Sequence, residues 1–226
     1  MKGEELMAAA TTGRQDVREF ARRAVFGWIG PAVLHETNNV LTVLSGVRQV
    51  LQLNLPMGGG VGALVDPQVA RGEARVNHVR ALNAPGATVD AALVAVHRLL
   101  DLCGKGRGVT VRHDAGTGSA ALADPEAFAL ALFLAGAIAL PPRGLRGGTE
   151  QVLRGSVAGP AGELVACGVA DDPRRAPEWR TADELMASVG GQLLGQFEPG
   201  QPGGIWRVTV LLSASAPAGS TEPGSR

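Results

Sequence analysis

The sequence predicts an α+β chain: a helical hairpin that pairs with a second copy into a four-helix bundle, followed by an α/β sandwich. Three observations carry this. Residues 26–53 form a long, mostly apolar stretch of helical period. A second helical stretch follows it across a Gly-rich break. From about residue 87 short helices and short strands alternate. The expected divisions are a flexible N-terminus at 1–14, a hairpin at 15–86, a sandwich at 87–212 and a disordered tail at 213–226.

In the first helix, Val17, Phe20, Ala24 and Trp28 repeat at helical spacing and lead into FGWIGPAVLHETNNVLTVLSGVRQVLQL. With each residue advancing about 100°, Pro31, Asn38, Asn39, Thr42, Gly46 and Gln49 lie within about 60° of His35. Val33, Val40, Leu44, Val47 and Leu51 lie on the opposite side, so one face should be buried and His35 held out to water. Pro31 removes a backbone donor and should kink the helix or split it in two. After NLPMGGGVGALVDP, Asp66-Pro67 reads as an N-cap followed by a first-turn proline, starting a second helix that runs to about Leu82. Two such helices cover only one face of each other. A second copy of the chain is the simplest cover for the remaining stripe.

In the second half Thr88 should cap a helix through Leu100, followed by a strand at Val109–His113. Asp124-Pro125 starts a helix whose run from Phe128 to Leu140 is apolar on all sides, and therefore buried on all sides. Strands are expected at Gln151–Val157 and Glu163–Val169. A helix at Ala182–Val189 capped by Thr181 should come next, then a hairpin of Gln192–Glu198 with Trp206–Leu212. Pro, Gly and Ser dominate from Ser213, which reads as disorder.

Composition narrows the function. Lys+Arg and Asp+Glu are both 21, so there is no basic excess to bind a phosphate backbone, and nucleic acid is not an expected partner. The best apolar run is broken by polar residues and Arg48, which argues against a membrane span. Cys103 and Cys167 are far apart and read as small buried hydrophobes in a reducing compartment, so a cytoplasmic location is expected. No two histidines have metal-ligand spacing, and His78, His97 and His113 read as structural or solvated.

Over about residues 16–212 the chain resembles the sensor histidine kinases of two-component systems. His35-Glu36-Thr37-Asn38-Asn39 followed by Leu41-Thr42 is similar to the family's phospho-acceptor box H-E-x-x-N-P-L-T, with Val40 in place of the proline. Val89-Asp90, Ala123-Asp124-Pro125-Glu126 and Gly190-Gly191-Gln192-Leu193 resemble successive motifs of its ATPase-like domain. The resemblance implies a dimeric phospho-acceptor hairpin followed by a Bergerat-type sandwich. It also implies His35 as the phosphoryl acceptor. Glu36 would handle the proton on the other ring nitrogen, and Asn39 would help orient a hydrolytic water.

The departures fall on the nucleotide side. The family's Mg²⁺-binding Asn would stand near Gly136, the D-x-G-x-G box falls on Asp171-Asp172-Pro173-Arg174-Arg175 without its glycines, and Arg180-Thr181-Ala182-Asp183 replaces the Gly-rich segment. ATP binding is therefore not expected, nor any cofactor held by this chain, and Mg²⁺ would come with the partner. The expected function is a histidine phosphotransferase, similar to those built on a degenerate kinase. It would exchange phosphoryl groups between His35 and response-regulator receiver domains. Two alternatives stand beside it: a non-catalytic scaffold that binds a receiver or a sensor kinase, and a divergent active kinase.

Overall fold

The computed structural model describes residues 2–53, 60–105, 107–114, 120–141, 150–155, 162–200 and 203–212. The glycines at 58 and 59 and the tail at 213–226 lie outside them. The chain forms helix α1 (Lys2–Gln52), α2 (Gly60–Asn83), α3 (Val89–Lys105), strand β1 (Thr110–Asp114), α4 (Pro125–Ala137), β2 (Glu150–Gly155), β3 (Gly162–Val169), α5 (Pro177–Ser188), β4 (Gly191–Glu198) and β5 (Gly204–Leu212). A single 3₁₀ turn spans Pro173–Arg175. This is an α+β architecture, a helical hairpin followed by a sandwich in the expected order.

Helix α1 is longer at its start than its periodicity suggests, and it is one helix, with Pro31 inside it. Its first residues carry Glu4, Glu5, Leu6 and Ala8–Ala10, good helix formers that have propensity without a clear stripe. Helix α2 likewise starts at Gly60, so Asp66-Pro67 does not open it and Pro67 lies within it. There the proline removes one backbone hydrogen bond, and the apolar residues before it stay helical in spite of the stop-and-start signature. Thr88 does cap α3, its Oγ1 accepting from the Ala91 N–H at 3.3 Å.

The sheet has the order β1-β2-β3-β5-β4. β1 and β2 are parallel and joined through α4, as a crossover requires, while the remaining pairs are antiparallel. One face is buried: Leu164, Ala166, Leu193, Trp206, Val208 and Val210 alternate along β3, β4 and β5 against the helices. The other face keeps Leu194 and Ile205 exposed and carries an Arg207–Glu163 ion pair at 2.7 Å. The helices of the sandwich thus lie on one side of the sheet.

Helix α4 is the centre of the fold. Asp124 caps it, its carboxylate accepting from the Ala127 N–H, with Pro125 at the first turn. Every residue from Ala127 to Ala137 is buried. Trp206 Nε1 donates to the Ala135 carbonyl at 3.1 Å and its ring meets Trp179 edge-on at 5.1 Å. Helix α5 starts at Pro177, one turn earlier than expected. Pro177 presets the first turn after an extended Ala176, so Thr181 lies buried inside the helix and is not its cap. The Gly190-Gly191 pair that follows has a steric explanation. Gly190 turns the chain with φ 75°, and a Cβ at Gly191 would sit 2.7 Å from Met186 Sδ.

Candidate functional site

The residues around His35 lie two turns beyond the segment of α1 that packs on the sandwich. His35, Thr37, Asn38, Asn39 and Thr42 are all exposed. His35 and Asn39 are one turn apart on the same face. The two threonine hydroxyls are engaged by the helix itself. Thr37 Oγ1 donates to the Val33 carbonyl at 2.9 Å, and Thr42 Oγ1 to that of Asn38 at 2.8 Å. Of the two, Thr42 shares the face of His35, where the imidazole and the Asn38 and Asn39 amides are exposed, while Thr37 lines the groove toward α2. The Glu36 side chain lies outside the described residues. Val40, standing where the acceptor box has proline, keeps its backbone N–H, and α1 runs through it without a break. Its side chain faces α2, 3.7 Å from where a Cβ on Gly72 would be.

The stripe opposite His35 is only partly covered. Val47 is buried, Val33 and Val40 are half-buried, and Leu44 and Leu51 remain exposed. Together with Phe26, Leu34 and Leu41 these exposed side chains fall in an arc of about 100°, centred roughly 150° from His35. Val69 and Val76 of α2 are exposed as well. Between the two helices runs an apolar groove of about 570 Å³, lined among others by Phe26, Val33, Val40, Val76 and Val79.

The position where the resemblance expects a Mg²⁺-binding Asn is closed by packing. A Cβ on Gly136 would lie 2.7 Å from Leu100 Cδ1 and 2.8 Å from Leu164 Cδ1, so the position faces packed leucines and has no space for an oxygen ligand. Asp171 and Asp172 border a cleft of about 350 Å³ with Arg175, Phe197 and Pro199. Asp172 is occupied locally. It accepts from the Arg174 N–H at 3.0 Å and from the Arg174 guanidinium at 2.7–3.1 Å. The hydrogen bond from that side chain holds its carboxyl below the usual range. A turn-forming aspartate is what the geometry shows.

Of the other histidines, His97 and His113 pack between α3 and β1, and His78 lies where α2 meets α3. His97 Nε2 lies 3.0 Å from the Val111 carbonyl, and its ring is 5.9 Å from that of His113. His113 Nε2 and His78 Nδ1 are buried without a hydrogen-bond partner among the described residues. Burial lowers the pKa of His113, with the neighbouring His97 adding to it. Burial also lowers that of His78, helped by Arg75 and Arg98. Folded pKa values below the unfolded one mean that the unfolded chain binds more protons. Stability from these two groups is therefore full above the ordinary histidine pKa and is lost as pH falls through it. The thermal midpoint should drop between pH 7 and 5.5, and His113→Gln should flatten that slope. An unchanged slope would contradict the assignment.

The cysteines divide: Cys103 is buried and Cys167 is exposed, so only the first behaves as a core hydrophobe. Sequence reasoning also missed Arg18, Arg22 and Arg107, and the contact that Arg107 makes with Trp28. Arg18 pairs with Asp124, and Arg22 grips Glu126 through both carboxylate oxygens at 2.7–2.9 Å. The Arg107 guanidinium lies 4.8 Å over the Trp28 ring. A signal was available: a helix as apolar as α4 needs cover on a side that three helices and one sheet do not supply.

No protein-family model matches the sequence, and no curated protein matches it. The structure is similar to solved histidine kinase domains and to a phosphotransferase. The blue-light activated histidine kinase of Erythrobacter litoralis EL346 is 17% identical, with a TM-score of 0.44 over 78% of this chain and 60% of that one. The chain thus spans about three fifths of that kinase. A structure described as a bacterial phosphotransferase is 13% identical, with a TM-score of 0.42 over 82% of this chain and 95% of that one. The histidine kinase AdeS of Acinetobacter baumannii is 13% identical, with a TM-score of 0.38 over 79% and 98%. Among the described residues no helix is long and apolar enough to cross a membrane.

Proposed function

We propose that this chain is a histidine phosphotransferase of two-component signalling, working as a homodimer and exchanging phosphoryl groups with a response-regulator receiver domain through His35. The observation that carries it is the contrast between the two halves. An exposed imidazole stands with Asn38 and Asn39 on an open helix face, while Gly136 is packed against Leu100 and Leu164.

In the transfer, a ring nitrogen of His35 attacks the phosphorus of the receiver's aspartyl phosphate. A P–N bond forms as the acyl-phosphate P–O bond breaks, and the aspartate leaves as a carboxylate. The proton on the other ring nitrogen passes to a base, the role the resemblance assigns to Glu36. Positioning and electrostatics supply most of the catalysis in such transfers, and the receiver contributes its own metal. An exposed ring on a stiff helix is therefore sufficient equipment on this side. Asn39, one turn on, would take the role the resemblance assigns to it, orienting a water toward the aspartyl phosphate for hydrolysis.

The test is to mix the chain with a phosphorylated receiver and follow the label. The native chain should take it up and His35→Ala should lose at least 100-fold. Equal labelling of His35→Ala would end the proposal. A second reading has one observation in its favour, the unbroken helix at Val40 where the acceptor box has proline. The chain would then be a non-catalytic scaffold for a receiver or a kinase, binding with His35→Ala as well as without it and taking up no label in either form.

A further inference from the structure

The first half of α1 belongs to the sandwich as much as to the hairpin. Ala21, Val25 and Ile29 are 0–2% exposed and lie in one continuous core with Phe128 and Leu130 of α4. Their spacing of four residues keeps them on one face of α1. Polar contacts tie the same segment to both ends of α4. At its start, Arg18 pairs with Asp124, the residue that caps α4, and Arg22 holds Glu126 bidentately. Beyond its end, Arg107 reaches across Trp28 and donates to the Pro141 carbonyl at 2.7 Å. The Trp28 carbonyl in turn accepts from Cys103 Sγ of α3 at 3.7 Å.

The segment is thus a third layer over the helical side of the sandwich. Only Gly30-Pro31 stands between it and the His35 turn. There the missing proline donor removes one backbone hydrogen bond, but α1 continues through it. From Ile29 to His35 the helix rises about 9 Å.

We infer that residues 18–29 of α1 are a strap that locks the hairpin and the sandwich into one rigid body, so that the sandwich cannot swing relative to His35. The lock itself stands on the contacts named above. Its bearing on phosphotransfer rests on the function proposed for His35.

The test needs no receiver, so it fails or succeeds independently of that function. Spin labels attached through Glu73→Cys and Glu198→Cys in a Cys167→Ser background, with the labelled chain diluted into an excess of unlabelled chain so that a pair carries one labelled copy, report the distance between hairpin and sandwich. The native chain should give one narrow distribution. Arg22→Glu should broaden it at least two-fold, and adding Glu126→Arg should restore it. A broad or two-peaked native distribution would overturn the inference, and so would an Arg22→Glu variant as narrow as the native chain. Native-state hydrogen exchange covers the case of a variant that does not fold. Amides of residues 21–29 and 127–137 should exchange together at the slowest rate, and separate rates for the two segments would also overturn it.

Discussion

Gly136→Asn, which restores the residue the resemblance expects at that position, should unfold the protein sooner and create no nucleotide site. The added Cβ would meet Leu100 Cδ1 at 2.7 Å and Leu164 Cδ1 at 2.8 Å, closer than side-chain carbons approach in folded proteins. Those leucines are fully buried and belong to α3 and β3, so their methyls would have to shift within an already filled core to make room. Overpacking of this kind costs about 1–3 kcal/mol. The amide adds a second term, because its oxygen and nitrogen would be buried among leucines without partners, at about 1–3 kcal/mol. A total of about 2–6 kcal/mol is a large share of the stability of an ordinary domain. Denaturant titration reads it directly, and calorimetry with a nonhydrolysable ATP analogue and Mg²⁺ should show no gain in binding. A variant as stable as the native chain would mean that α4 does not pack as described.

Much of this was legible because several motifs carry their own physics. Asp124-Pro125 is a helix start wherever it can be one, and α4 begins there with the expected carboxylate cap. Gly190-Gly191 marks a left-handed turn followed by a contact too close for a side chain. Alternation in β4 and β5 gave the closing hairpin, since a strand with one wet face repeats every second residue. The same cap signature misled at Asp66-Pro67, where α2 runs through it. One lost hydrogen bond inside a helix can be outweighed by the packing of the whole helix. At the site, the exposure of His35, Asn38 and Asn39 followed from helical period alone. The strap could not be found that way. Arg18 and Asp124 are 106 residues apart, and nothing in local pattern connects an arginine on one helix with the cap of another. What local pattern did show was a helix with no polar side, and that is a demand for cover without an address.

The same reasoning applied to α1 sets the last expectation, which concerns the second copy. Leu44→Asp should convert a dimer to monomers while leaving the fold of each monomer intact. Leu44 is 43% exposed in the single chain, and Phe26, Leu34, Leu41 and Leu51 on the same side are between 54% and 64% exposed. So many large apolar side chains along one arc exceed the scatter normal for a monomer surface and fit the interface of the proposed bundle. A charge placed among them is solvated in the free chain and desolvated only on pairing. In a two-fold bundle every substitution occurs twice. If each copy loses roughly 2 kcal/mol of leucine burial, the pair loses about 4 kcal/mol, near a thousand-fold in Kd. Sedimentation across a concentration series measures that shift, with Gln49→Glu on the exposed polar face as a control that should stay dimeric. A native chain that is monomeric at tens of micromolar would refute the bundle, and so would a Leu44→Asp variant that remains a dimer. If pairing is lost but His35 still accepts label from a receiver, the acceptor face works within one hairpin. If labelling is lost along with pairing, while the helical content stays constant, the receiver docks on a surface that both copies build.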